Sequence, residues 1–430
     1  MLRFLAIILI GILTSFYFFP FEFAILPGAN TKMIMAGMSL IVLGVNLTKN
    51  RAATINRDFL IISILACLVS LAGLVSVAYN ETNDYTYATY IISMWVWLGG
   101  AYLTISCMRW LHDKVSVSLV ANYLIVVCVA QCVIALLIDN FPAVEDFVKT
   151  YIAGFDWVGF EQLDEGGRLY GIGATLDVAG SRFSAVLTMI AFLIVKSVAA
   201  SNHKLTIWYL LAFGFITIVG NMMARTTIVG VGLSCLYWLW ATKEIENKSV
   251  LWRYISAMIC VALVITIFLY NRNEVFRGDI RFAFEGFFSL AETGKWDVSS
   301  NNILKDMYVF PDNFKTWVVG DGYFDNPYYS DAYYLGPRWG GYYMATDVGY
   351  LRFIFYFGII GIVLFMTFFC KVTQYCIQRL QDYKALCLMF LAINFIVWFK
   401  VSTDIFLVFA LFLCLNSDEN QVEPSLEIAE

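Results

Sequence analysis

Histidine is almost absent from this chain: His112 and His203 are the only two among 430 residues, and both fall in short turns between apolar runs. A Ser-His-Asp triad or a histidine-held zinc in either long polar loop is therefore excluded. No Cys/His metal spacing and no glycine-rich phosphate loop occurs, so no metal and no cofactor is expected. Charge is scarce as well. Only 14% of residues are charged, against about a quarter in a soluble domain. A net charge of −5 without a basic run gives nucleic acid nothing to bind. The seven prolines all avoid the apolar runs, which predicts unbroken helices there. The ten cysteines avoid both long polar loops, so those loops use no disulfide, even in a compartment that would allow one.

What is abundant is apolar sequence, at 60% hydrophobic residues. Runs at about 3–19, 31–48, 58–78, 88–108, 116–138, 181–199, 206–222, 227–242, 254–270, 348–369, 385–399 and 405–416 predict an all-α polytopic membrane protein of about twelve transmembrane helices. They form one integral domain, 1–430, with long loops at about 139–180 and 271–347. The last two runs are short and joined by KVSTD, so they read either as two spans or as one re-entrant hairpin. The opening MLRFLAIILIGILTSFYFFP lacks a small-x-small cleavage site and reads as an uncleaved first helix.

Lysine and arginine set the orientation. Lys49, Arg51, Arg57, Arg109, Lys114, Lys243, Lys248, Arg253, Lys371, Arg379 and Lys384 fall on one side, whereas YNETNDYTY on the other has none. The positive-inside rule places the first side, both termini and the acidic tail SDENQVEPSLEIAE in the cytoplasm. Both long loops then face outward.

Several cations break that rule together, at the outer surface. Arg168 precedes the sixth span and Arg182 opens it. Arg225 sits in the turn between the seventh and eighth spans. Arg277 and Arg281, one turn apart after the ninth, share a helix face. Lys400 ends the eleventh. In ATDVGYLRF, Asp347, Tyr350 and Arg352 head the tenth. Arg352 lies about 7–8 Å deeper than Asp347 along a helix, where a charge is costly. Arginine forks suit phosphate oxygens, so this set suits a diphosphate at headgroup depth. The plainer reading is snorkelling or local ion pairing. Glu274, Asp279 and Glu285 favour pairing for Arg277 and Arg281, while Arg225 has no acid beside it in sequence. Asp347 reads either as the N-cap of the following helix or as a general base; Asp177 has the capping reading too. The loop YFDNPYYSDAYYLGPRWGGYY, residues 323–343, holds nine aromatics. They read as an interfacial belt or as a surface for sugar rings.

The stretch TDVGYLRFIFYFGIIGIVLF, with GRLYGIG, ARTTIVG, VVGDGYF and NFIVWFK, resembles the O-antigen polymerases of the Wzy-dependent pathway. The resemblance runs over most of the chain through short motifs. It implies a GT-C-like fold in the bacterial inner membrane with a periplasmic active site. It implies a metal-independent glycosyltransferase that moves a growing glycan from undecaprenyl diphosphate to a hydroxyl of the next lipid-linked repeat unit. Its partners would be that lipid-linked oligosaccharide, the bilayer, a flippase and a chain-length regulator. The family's loop arginines map onto Arg168, Arg225 and Arg352, and less closely onto Arg182 and Arg277. Related O-antigen ligases, and some polymerases, carry a functional histidine in the large loop. This chain has none there, and Asp347 is the candidate replacement. An O-antigen ligase is the alternative enzyme. A lipid-linked oligosaccharide flippase is the alternative transporter, disfavoured by the absence of internal repeats and of proline-broken helices.

Overall fold

The computed structural model describes residues 2–50, 57–153, 168–241, 248–329, 334–336 and 341–416. Of the features named above, Arg51, Lys243, the acidic tail and residues 330–333 and 337–340 of the aromatic loop lie outside them.

Among the described residues there are seventeen α-helices and no strand. They are α1 Leu2–Phe18, α2 Thr31–Asn50, α3 Arg57–Asn80, α4 Tyr90–His112, α5 Val117–Asn140, α6 Pro142–Tyr151, α7 Leu176–Ala199, α8 His203–Met223, α9 Thr227–Ala241 and α10 Lys248–Arg272. Four short helices follow in the second long loop: α11 Glu274–Ala283, α12 Glu285–Thr293, α13 Ser299–Asp306 and α14 Phe314–Val318. The last three are α15 Gly349–Arg379, α16 Lys384–Val397 and α17 Phe406–Leu413. Eight of the seventeen, α2–α5, α7, α8, α10 and α15, are long and apolar enough to cross a membrane by length and composition. The chain is a multi-pass membrane protein.

At the centre stands α7, the most enclosed of these helices, with 83% of its apolar window buried. Its sequence explains why. Small residues let backbones approach closely where lipid offers no hydrophobic drive between helices. Ser184 of α7 donates its hydroxyl to the Thr226 carbonyl at 3.0 Å and accepts the Gly230 amide at 3.1 Å. A side chain at Gly230 would strike the Ser184 backbone, so the close approach of α9 to α7 at that point requires glycine.

Two breaks shape the C-terminal part of the chain, the first where it was expected and the second not. The first divides the last two helices. Helix α17 has eight residues, all buried, and spans about 12 Å, far less than about 30 Å of hydrocarbon. At KVSTD the structure has a helix–break–helix arrangement, α16 and α17 joined by residues 398–405. The irregular stretch 401–405 lies within protein, where non-helical backbone finds partners. Trp398 Nε1 donates to the Thr403 carbonyl at 3.2 Å, and Asn394 Oδ1 accepts the Ile405 amide at 3.1 Å. The Thr403 hydroxyl donates to the Asp177 carboxylate at the head of α7.

The second break corrects the expectation of unbroken helices. Helix α15 is interrupted at Phe357 and Gly358, where Gly358 has φ +68° and ψ −174°. The VVGDGYF stretch plugs the gap: the Asp321 amide donates to the Phe355 carbonyl at 2.6 Å and the Gly322 amide to the Tyr356 carbonyl at 3.1 Å. Ser76 Oγ reaches the Tyr356 carbonyl from α3 at 2.7 Å. Proline was the wrong marker here, because glycine breaks a helix without removing a donor, by adopting backbone angles other residues avoid. Gly358→Ala should therefore destabilise the protein by about 1–3 kcal/mol, read as a lower thermal unfolding midpoint. A wild-type midpoint would show that the break does not depend on glycine.

Candidate functional site

Helix ends meet at one end of the bundle around a cavity of about 230 Å³. Arg168 comes from the irregular segment before α7, Asp177 from the first turn of α7, Arg225 from the α8–α9 turn, Asp347 from just before α15 and Lys400 from just after α16. Ser300, Ile303 and Leu304 of α13, with Met307 beyond it, cover them from the second long loop. Three cations and two carboxylates, far apart in sequence, thus line one pocket.

The cations differ in how they are held. Arg225 Nε donates to the Phe282 carbonyl at 3.1 Å and Nη1 to Ser300 Oγ at 2.8 Å, while Nη2 lies 2.7 Å from Glu285 Oε2. The sequence reading that left Arg225 without an acid is corrected: its partner comes from α12. Glu285 is thereby removed from Arg277 and Arg281, near which it lies in sequence. Arg168 and Arg225 lie 5.0 and 4.0 Å from the Phe282 ring centroid. Among the described residues, Arg168 and Lys400 have no hydrogen bond or ion pair to their side chains. Burial weakens the hold of Arg168 on its proton, and the Arg225 charge weakens it further. The Lys400 ammonium is lowered by burial, then by Arg225 and Arg168, against opposing pulls from Asp347 and Asp177. Such mutually repelling cations favour an anion between them.

Asp347 is the carboxylate in this field. Its side chain is 24% exposed, and its pKa is raised to about 7, first by burial and then by Asp177, against Arg352 and Lys400. The capping reading of Asp347 does not hold. The N-cap of α15 is Val348, without a side-chain bond. Asp177 caps nothing either, because Thr175 is the N-cap of α7. It is tied to Thr403 across the pocket wall instead.

Arg352 lies just behind Asp347. Its guanidinium is sandwiched between Phe324 and Tyr342, 3.7 and 4.0 Å from their ring centroids. Nη2 donates to Asp325 Oδ1 at 2.7 Å and to the Phe324 carbonyl at 3.2 Å; Nη1 donates to Ser402 Oγ at 2.8 Å and lies 3.8 Å from Asp347 Oδ1. Its depth is compensated by protein: both faces and most of its fork are occupied. It fixes the aromatic loop, the 401–405 stretch and Asp347 relative to one another.

Besides Arg352, which lies behind the wall, four residues proposed for the site do not line this pocket. Helix α7 begins at Leu176, five residues earlier than expected, so Arg182 sits in its second turn, buried against the Phe18 carbonyl and the Phe19 and Trp97 rings. Tyr350 joins α15 to α16 through the Phe395 carbonyl at 2.9 Å and the Trp398 and Phe399 rings. Arg277 and Arg281 do share a face of α11, but both turn to Tyr270: Arg277 Nε donates to its carbonyl at 3.0 Å and Arg281 Nη1 to its hydroxyl at 3.3 Å. Arg281 pairs with Glu292, 2.8 Å away, rather than with Glu274, Asp279 or Glu285.

Sequence reasoning gave Glu285 to the wrong arginines and passed over Ser300, Phe282 and Asp325. The one sequence cue to the α13 cover is the Ile303-Leu304 pair followed by Met307 in a polar stretch. Compared with family models, curated proteins and solved structures, the chain matches none of them.

Proposed function

We propose that this protein is a bacterial surface-polysaccharide polymerase of the inner membrane, with about twelve GT-C-like membrane passes, both termini in the cytoplasm and the pocket facing the periplasm. The observation that supports it is the convergence of Arg168, Arg225 and Lys400 around a carboxyl, Asp347, whose pKa of about 7 suits a base at neutral pH. In this reading the pocket takes the diphosphate of a lipid-linked glycan. The acceptor hydroxyl of the next repeat attacks the anomeric carbon, and Asp347 takes its proton. The bond from that carbon to the diphosphate oxygen breaks, the electron pair leaves with the diphosphate, and the cations stabilise its charge. No acid is required, since the leaving group is already an anion.

The breaks in α15 and before α17 favour a second reading, a transporter of the same lipid-linked glycan, because discontinuous helices are common in transporters. The pocket at helix ends, rather than at mid-helix, supports the enzyme. Purified protein in nanodiscs with a lipid-linked repeat unit decides between them. The polymerase should make a ladder of longer glycans, faster as pH rises through about 7 and Asp347 ionises. Movement of the substrate across proteoliposomes without any elongation would establish the transporter instead.

A further inference from the structure

A second cavity, about 770 Å³, runs between α8, α9 and α10. Phe213, Gly214, Trp238, Trp252, Met258 and Ala262 are among its wall residues, which are almost all apolar. Helix α10, one wall of it, is packed lightly, with only 11% of its apolar window buried. The slot ends at Tyr270, Ile280, Phe284 and Phe288. Tyr270 and Phe288 stack there, 5.8 Å between centroids, and each ring carries a guanidinium: Arg277 at 5.4 Å and Arg281 at 5.0 Å. Phe288 also borders a polar depression of about 520 Å³ that holds Arg281 and Arg225. Arg225 in turn lines the cationic pocket.

Apolar slot, arginine-bearing depression and cationic pocket are therefore neighbours, the first two sharing Phe288 and the last two sharing Arg225. We infer that the slot between α8, α9 and α10 seats the polyisoprenoid tail of a lipid diphosphate, with Arg277 and Arg281 at the headgroup on the way to Arg225. This rests on the polymerase reading for the identity of the lipid. The charge at its end argues for that occupant over a zwitterionic bilayer lipid, because arginine forks bind phosphate oxygens in pairs. It also gives the two arginines that lie outside the catalytic pocket a ligand of their own. Glu292 is the anion that Arg281 would exchange for it.

Gly214 offers a clean test. A β-carbon there would meet only Met258, at 3.9 Å, so Gly214→Leu fills the slot without striking backbone. Elongation is measured with a long-chain and a short-chain isoprenyl diphosphate version of the same repeat unit. The ratio of kcat/KM for long over short should fall about tenfold in Gly214→Leu and in Ala262→Phe, through KM, as methylene contacts with the wall are lost. An unchanged ratio overturns the inference. If wild-type protein elongates neither substrate, the polymerase reading falls, and the slot is decided by native mass spectrometry with undecaprenyl diphosphate and phosphatidylglycerol added together. Retention of the isoprenoid by wild type and its loss in Gly214→Leu supports the slot. Equal retention in both proteins, or phosphatidylglycerol alone, refutes it.

Discussion

Asp347→Asn should lower turnover by about 100- to 10,000-fold, the usual loss on removing an acid–base group, while the protein inserts and unfolds as wild type does. The variant keeps the side chain's size and cannot accept a proton. No cap is lost, because Val348 caps α15 without help from Asp347. Stability should hold or rise. The carboxyl has a pKa of about 7 in the folded protein, above about 3.9 in an unfolded chain. The folded state therefore holds the proton more tightly, and ionisation costs stability progressively between about pH 4 and pH 7. The uncharged amide of the variant is free of that cost above this range. The pH-rate limb near 7 should also vanish from whatever activity remains. Near-normal turnover by Asp347→Asn would take the carboxylate off the reaction path and leave the cations as the whole site.

The next largest effect is expected from Arg225→Lys, about 100- to 1,000-fold in kcat, the range for one lost electrostatic donor to a transition state. Lysine keeps the charge and forfeits the fork. The structure adds a complication, since the fork already engages Glu285, Ser300 and the Phe282 carbonyl. Loss of activity alone would fit a bracket between the α8–α9 turn and α12 equally well. Glu285→Gln separates the two roles. If Arg225 meets phosphate, releasing it from the carboxylate should cost far less than Arg225→Lys. If it is only a bracket, both variants should lose activity together, with matching drops in unfolding temperature.

Helix positions were legible because each rests on one local property, an apolar run of the right length. The run at 58–78 corresponds to Arg57–Asn80, that at 116–138 to Val117–Asn140 and that at 227–242 to Thr227–Ala241. Cations at the helix ends were legible too, as departures from the charge rule, and Arg168, Arg225, Lys400 and Asp347 do share a pocket. Partners were not. The acid for Arg225 lies in α12 and the acid for Arg352 in the aromatic loop, and nothing local in sequence joins them. Arg182 was misplaced through a boundary error: Leu176-Asp177-Val178-Ala179 reads as too polar and short to open a span, yet it forms the first turn of α7. The break at Gly358 escaped because an isolated glycine within an apolar run is usually tolerated in a helix.

The enclosed C-terminal segment has a consequence for how the protein is made. Tyr17 of α1 donates its hydroxyl to the Leu407 carbonyl at 2.7 Å, so α1 and α17 hold each other across the length of the chain. Lys400, Ser402, Thr403 and α17 leave the ribosome after every other part of the pocket. Until they arrive, Asp177 lacks Thr403, Arg352 lacks Ser402, and the space that α17 fills stays vacant. The pocket is therefore completed only by the last segment of the described chain to be made. A chain ending before residue 400 would lack Lys400, Ser402, Thr403 and α17, and with them one wall of the pocket.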